Sequence, residues 1–431
     1  MSMQEMATRV KKAALELAAQ PTGAKNAALS AIARALMDER DRILAANHED
    51  LTRSEREGLA APLLKRLRLD DAKYQEMVEG VESLVGLPDP VGRTALATEL
   101  DDGLTLYRVT CPIGAIGIIF ESRPDALVQI SSLCLKSGNG VLLKGGSEAV
   151  ETNRVLAGII ASATERAGMP AGWIQLLETR AEVGAMLKMD EQIDLIIPRG
   201  SNEFVRYIME NTKIPVLGHA EGVCHCYVDD DADQEMAVRV VVDAKTQYVA
   251  VCNAIETLLV HRDIAPSFLP AVKRALDAKG VTLFGCERTR EIIPTEAASE
   301  DTWRNEYLDY KLSVKVVDSL EAAIDHINRY GSGHTDAIVT RSKTKAARFL
   351  SLVDSADVFW NCSTRFADGF RYGLGAEVGI ATAKIHARGP VGLDGLVIYK
   401  YLLLGDGHVV ADYAERKRTF KHRPLDRDFP L

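Results

Sequence analysis

Between residues 6 and 92, apolar side chains recur at the three- and four-residue intervals of an amphipathic helix. Met6, Val10, Ala14 and Leu17 form one stripe, and Leu29, Ile32 and Leu36 form another, so the spacing predicts a helical opening. The pattern breaks at Leu87-Pro88-Asp89-Pro90, and an extended segment leads through Leu104 and Arg108 into Ile116-Gly117-Ile118-Ile119-Phe120, where sheet begins. Short apolar runs then alternate with helical stretches. Strands are expected at 141–143, 174–177 and 195–197, a helix carrying Val155, Ile159 and Ala163 on one face, and a helix at 201–211. Such alternation implies parallel α/β layers. An acidic turn at Asp229-Asp230-Asp231 separates a second series, with a boundary near residue 226. That series has helices at 233–246, 268–279 and 320–330 and strands at 256–260, 314–317 and 337–340. Residues 396–404 read as one long strand ending in Gly405-Asp406-Gly407 and a charged tail. A strand with no following helix suggests an edge or intersubunit element.

A chain of 431 residues has room for two or three domains at about 150 residues each. Its 47% hydrophobic and 26% charged residues are the balance of a packed enzyme-sized body. The 52 Lys and Arg against 61 Asp and Glu give a charge of −9, which repels nucleic acid. Any anionic substrate therefore needs its own cationic pocket. No apolar run approaches the ~18–20 residues of a membrane helix, and the N-terminal segment lacks the features of a secretory signal. Seven cysteines without framework spacing read as free thiols in a reducing compartment, so a cytoplasmic address is expected.

Two common nucleotide signatures, a strand-linked G-x-G-x-x-G and G-x-x-x-x-G-K-[ST], are absent, which leaves another binding mode for any nucleotide. Cys224, His225 and Cys226 have no second histidine at helical spacing and are expected to be structural, with no metal. Around Cys252 a helical pattern ends, a short loop carries the thiol and an alternating strand begins, so the thiol can face a cleft. Gly- and Arg-bearing segments lie at the ends of other expected strands: 114–124, 136–140, 144–149 and 194–201. In the last of these a helix N-terminus could hold a phosphate.

With these residues in place, the chain resembles the aldehyde dehydrogenase superfamily and, within it, the γ-glutamyl phosphate reductases. The resemblance runs from about residue 13 to 404. Its most specific pieces are IGAIGIIFESRPDA, CLKSGN, LLKGGSEA, IDLIIPRGS, HAEGVCHCYVD, VCNAIETLLV, HINRYGSGHTDAIV and NCSTRFADGFRYGLGAEVGIATAKIHARGPVGLDGL. It implies two doubly wound α/β domains plus a small oligomerisation β-hairpin element. Residues 1–92 and 110–226 would bind cofactor, 227–385 would be catalytic, 93–109 and 386–415 would serve oligomerisation, and 416–431 would be a charged tail.

The resemblance implies that Cys252 is the nucleophile, with Asn253 beside it. Lys144 and Ser147 become the adenosine-ribose contacts, Gly200 and Ser201 the pyrophosphate turn, and Glu306 a contact to the nicotinamide ribose. Ser147 stands where NAD-preferring relatives usually carry a carboxylate, which implies NADPH. Arg123, Arg365 and Arg371 are the candidate anion clamps, since guanidinium pairs bidentately with carboxylate and phosphate. The implied reaction is NADPH-dependent reduction of γ-glutamyl phosphate to glutamate 5-semialdehyde and phosphate through a cysteinyl thioester, in proline biosynthesis. An unperturbed thiol is mostly protonated at neutral pH, so amides or cations are expected to lower the pKa of Cys252.

A CoA-acylating aldehyde dehydrogenase and a non-catalytic scaffold of the same fold are the alternatives. The acyl phosphate would come from a separate glutamate kinase, and a homo-oligomer is expected. Relatives commonly have Pro in place of Val249 and Lys in place of Gly218. His219 occupies the region of the hydrolytic general base, with Glu221 two residues on. His334 and His386 belong to the motifs without a role that the sequence supplies.

Overall fold

Five helices open the chain: Met3–Ala18, Thr22–Asp38, Arg40–Arg56, Ala61–Leu67 and Asp71–Gly86. The first begins with a capping box, in which Ser2 accepts from Glu5 N and the Glu5 side chain accepts from Ser2 N. The computed structural model describes residues 2–430 apart from 121, 122, 201, 219 and 220, and the backbone alone at Ala61, Pro62 and Arg180. Leu17, Leu29, Ile32 and Leu36 are fully buried. They share one core with Leu127 and Leu133 of helix Pro124–Lys136 and Leu156 and Ile160 of helix Val150–Arg166.

Beneath these helices lies a four-stranded parallel sheet in the order Ile174–Leu177, Gly140–Lys144, Ala115–Ile119 and Leu195–Pro198. Every residue of its two central strands is buried, which is why they appear in the sequence as unbroken apolar runs. The winding reverses between Ala115–Ile119 and Leu195–Pro198, and ligands of open α/β sheets bind outside the carboxyl ends of the strands at such a switch point.

A second, seven-stranded parallel sheet runs in the order Glu296–Ala297, Thr282–Gly285, Lys311–Val317, Ile255–His261, Cys224–Val228, Thr335–Val339 and Asp357–Trp360. Strand Cys224–Val228 pairs with Ile255–His261 and Thr335–Val339 over its length. A boundary at 226 would cut this strand, because the second sheet begins at Cys224. The sheet's order brings together the loops that precede three neighbouring strands, those ending at Val223, Ala254 and His334.

The third sheet is antiparallel, in the order Val397–Leu404, Leu104–Pro112, Thr94–Asp101 and Arg423–Leu425. Its hairpin turns at Asp102-Gly103, where Gly103 takes φ +73°. The expected hairpin is thus half of a larger sheet. The charged tail at 416–431 is corrected as well: Arg423–Leu425 pairs with Thr94–Asp101, and Phe429 sets its ring edge-on to buried Tyr107 at 5.4 Å. Within 386–415, Gly389–Val391 pairs with Gly379–Ala381 in a separate ribbon. Val397–Leu404 is the expected edge, with Tyr399, Tyr401 and Leu403 exposed.

Because Phe429 covers one face of the hairpin, Phe429→Ala is expected to lower unfolding stability by about 1–2 kcal/mol. Urea titration followed by tryptophan fluorescence checks this, and an unchanged midpoint would show that the tail adds nothing.

Candidate active site

Helix Gln234–Thr246 and strand Ile255–His261 bracket the turn that carries Cys252. Lys245 near the end of the helix and Glu256 near the start of the strand form a buried ion pair at 2.5 Å, which fixes both ends of the turn. Glu256 also accepts from Leu308 N at 3.3 Å, so the same pair anchors the segment bearing Glu306. Burial pushes the Glu256 carboxyl up to about 7 against the pull of Lys245.

Cys252 Sγ lies 3.1 Å from His334 Nε2, and His334 Nδ1 lies 2.7 Å from Thr335 Oγ1. The backbone at Gly222 packs against the same cysteine, where a Cβ would fall 2.5 Å from Cys252 Cα and 2.6 Å from its Cβ. Only glycine permits that approach. Gly222 N donates to Glu306 Oε1 at 3.0 Å, and Asn202 Nδ2 donates to Glu306 Oε2 at 3.0 Å. Glu306 therefore ties the loop over Cys252 to the helix Asn202–Glu210 that follows the four-stranded sheet.

Burial pushes the Cys252 thiol up to about 12; Glu306 and Glu377 add to the rise, and Arg199 opposes it. This corrects the expectation of a lowered pKa. The thiol sits within protein beside two carboxylates, and one cation does not offset both effects. Sequence reasoning assigned no role to His334, Arg199 or Glu377. All three lie in the quoted motifs, but it takes the strand order to bring His334 to Cys252, while Arg199 and Glu377 act on the thiol by charge.

The remaining candidates fall into two groups. Around the cysteine turn, Asn253 Nδ2 donates to Ala367 O at 2.7 Å and its Oδ1 accepts from Arg365, whose Nε also donates to Gln247 at 2.9 Å. Arg371 donates to Arg365 O at 2.6 Å, and Arg123 pairs with Asp125 at 2.6 Å. Arg365 and Asn253 thus brace the turn from inside.

At the carboxyl edge of the four-stranded sheet stand buried Lys144, which donates to Gly145 O, and exposed Ser147 and Gly200. Glu148 turns its carboxylate towards Gly146, and Arg53 donates to the carbonyls of Ser147 and Glu148 at 3.2 and 3.0 Å. Ser201 and His219 lie outside the described residues. Glu221 is paired with Arg206, and His386 Nε2 lies 2.9 Å from Gly395 O. Cys224, His225 and Cys226 are buried, with His225 Nδ1 on Asp336 at 2.9 Å. Val249 is partly buried in the cysteine turn, and a Cβ at Gly218 would meet Pro198 at ordinary contact distances of 3.4–3.5 Å.

A thiol held near 12 is charged only above that pH, so its thiolate fraction rises about tenfold per pH unit below it. Iodoacetamide alkylation of Cys252, followed by peptide mass spectrometry, is expected to accelerate about tenfold per unit from pH 7 to 9 without levelling. A plateau in that range would reveal a preformed thiolate.

Among the described residues, no helix is long and apolar enough to cross a membrane. Residues 2–282 match the model of the aldehyde dehydrogenase family. The chain is 70% identical over 431 residues to the gamma-glutamyl phosphate reductase of Pelotomaculum thermopropionicum, covering 100% of this chain and 99% of that one. It is 69% identical over 431 residues to the enzyme of the same name from Acetivibrio thermocellus, covering 100% of both. The crystal structure of gamma-glutamyl phosphate reductase from Thermotoga maritima superposes with a TM-score of 0.93 at 42% identity, covering 95% of this chain and 100% of that one. The chain therefore belongs to the aldehyde dehydrogenase family and, within it, to the gamma-glutamyl phosphate reductases.

Proposed function

We propose that this chain reduces γ-glutamyl phosphate to glutamate 5-semialdehyde and phosphate, with NADPH, through a thioester on Cys252. The observation that carries the mechanism is the 3.1 Å contact between Cys252 Sγ and His334 Nε2. A thiol with a raised pKa needs a base in contact with it, and the carboxylates that act on it are otherwise engaged. Glu306 accepts from Gly222 N and Asn202 Nδ2, and Glu377 accepts from Gly369 N. With its proton on Nδ1 and donated to Thr335 Oγ1, His334 presents a bare Nε2 to the sulfur. That nitrogen takes the thiol proton while Sγ bonds to the acyl carbon and the bond from that carbon to the phosphate oxygen breaks. The electron pair leaves with phosphate. The names of the relatives supply the substrate and the place in proline biosynthesis.

The carboxyl edge of the four-stranded sheet fits a nicotinamide dinucleotide. Gly145 and Gly146 carry no side chain there, and a Cβ on Gly145 would fall 2.1 Å from Asn153 Nδ2. Lys144 and Ser147 would hold the adenosine ribose, Gly200 and Ser201 the pyrophosphate, and Glu306 the nicotinamide ribose. Once bound, the reduced nicotinamide supplies the hydride that the thioester carbon accepts. Exposed Ser147, whose carbonyl accepts from the Arg53 guanidinium of helix Arg40–Arg56, favours the 2′-phosphate of NADPH. The exposed edge strand Val397–Leu404 supports a homo-oligomer. A cytoplasmic enzyme supplied by a separate glutamate kinase completes the reading.

Cys252→Ser is expected to keep cofactor binding and to lose activity by about 10³-fold or more, because an alcohol does not replace the thiolate. His334→Gln should lower kcat by about 10²-fold while leaving NADPH affinity unchanged. Stopped-flow turnover and fluorescence titration of NADPH check both, and turnover within tenfold of the parent for either variant would contradict the assigned role. Ser147→Glu should raise the KM for NADPH about tenfold more than that for NADH. Equal changes would place the 2′-phosphate elsewhere. The reaction itself is tested in reverse: NADP reduction by glutamate 5-semialdehyde should require added phosphate and yield little free glutamate. Steady production of NADPH and glutamate without phosphate would mark a hydrolytic site.

A further inference from the structure

The arginines around Cys252 differ in how much of their donor capacity is already taken. Arg365 is held by Gln247 and Asn253, Arg371 by a carbonyl, and Arg123 in part by Asp125. The Arg199 guanidinium makes no hydrogen bond or ion pair with another described residue, although the residue is partly buried. Its backbone position is firmly set. Ile119 and Pro198 are partners in the parallel register, and Arg199 N donates to Ile119 O at 2.7 Å. Arg199 therefore stands at the carboxyl ends of two neighbouring strands, at the switch point of the sheet. Arg123, at the start of helix Pro124–Lys136, follows the other strand of that pair.

The charges that act on Arg199 are those of Arg123, Glu377, Cys252 and Asp125, and Arg199 is in turn the cation acting on the Cys252 thiol. Burial, followed by the like charge of Arg123, pulls the Arg199 pKa below the usual guanidinium range. Two guanidiniums in each other's field, one of them partly desolvated, are an unfavourable arrangement that a dianion relieves.

We infer that Arg199, together with Arg123, clamps the phosphoryl group of the acyl phosphate, an assignment that rests on the reductase reading above. The phosphate oxygen is bonded directly to the carbon that Cys252 attacks, so a cation at the switch point whose charge acts on that thiol is placed for the leaving group. As the bond from carbon to oxygen breaks, the charge that collects on phosphate lies against the guanidinium. In reverse, Arg199 holds inorganic phosphate while one of its oxygens bonds to the thioester carbon and the phosphate loses its proton to water. The bond from carbon to sulfur then breaks, and the Cys252 thiolate regains its proton from His334. The substrate's α-carboxylate is left to the remaining arginines.

The experiment measures phosphate-dependent oxidation of glutamate 5-semialdehyde by wild type, Arg199→Gln and Arg199→Lys, with separate KM values for phosphate and NADP. Phosphate protection of Cys252 against iodoacetamide is measured alongside as a binding readout that needs no turnover. Arg199→Gln is expected to raise the phosphate KM at least about tenfold, to leave the NADP KM within about twofold, and to abolish protection by phosphate. Arg199→Lys should be intermediate, because an ammonium lacks the planar fork; if the Gln variant does not fold, the Lys variant decides by the same criteria. An unchanged phosphate KM, or a rise confined to NADP, overturns the assignment while leaving the reductase reading intact. A wild-type enzyme that needs no phosphate overturns that reading and this inference together.

Discussion

The site depends on a thiol that is kept protonated. Desolvation and the two carboxylates Glu306 and Glu377 hold the Cys252 pKa near 12, so at neutral pH the sulfur reacts slowly with passing electrophiles. In the proposed mechanism it becomes a nucleophile when a base in contact takes its proton, and His334 Nε2 lies 3.1 Å away for that role. The carboxylates that raise the thiol pKa also hold the site together, since Glu306 joins the loop at Gly222 to the helix at Asn202. One set of charges thus serves both geometry and reactivity. The buried Lys245 and Glu256 pair works in the same way, bracketing the cysteine turn and anchoring the segment that carries Glu306. Losing one partner of such a pair typically costs about 3–5 kcal/mol, because a charge is then left buried and unpaired.

Topology explains why these residues meet. Cys252, Gly222 and His334 each precede one of three adjacent strands of the seven-stranded sheet, so parallel pairing brings three distant loops to one edge. The four-stranded sheet contributes its carboxyl edge, with Lys144 ending one of its strands and Arg199 following another. The proposed nucleophile and the proposed cofactor platform are thereby built on separate cores, the first around Ile255 and Cys224 and the second around Ile118 and Leu143. Glu306, which joins the two, sits in the segment between strands of the seven-stranded sheet.

Much of this was legible in the sequence wherever burial imposed a period. Helix Leu320–Tyr330 and strand Ile174–Leu177 have the bounds that their apolar spacing predicts. Among the strands that the pattern missed, Thr282–Gly285 and Asp357–Trp360 are short and only partly buried and Glu296–Ala297 is exposed, so they leave no clean alternation. Arg423–Leu425 is nearly all exposed and is held by backbone pairing, which a charged tail does not advertise. In the site, Cys252, Lys144, Ser147 and Glu306 were candidates that the family resemblance supplied. His334 could not be assigned, because 82 residues separate it from Cys252 and the order of the strands closes that distance. The direction of the thiol pKa was misjudged for a related reason, since it depends on burial and on carboxylates distant in sequence.

The thioester itself is the most direct object of measurement. Enzyme is mixed with glutamate 5-semialdehyde and NADP in phosphate-free buffer, quenched in acid, and mapped by peptide mass spectrometry. The expected result is a glutamyl adduct on the Cys252 peptide, formed in step with a burst of about one NADPH per chain and cleared when phosphate is added before the quench. NADPH formed without an adduct at Cys252, or an adduct that phosphate does not discharge, would contradict a cysteinyl thioester resolved by phosphate.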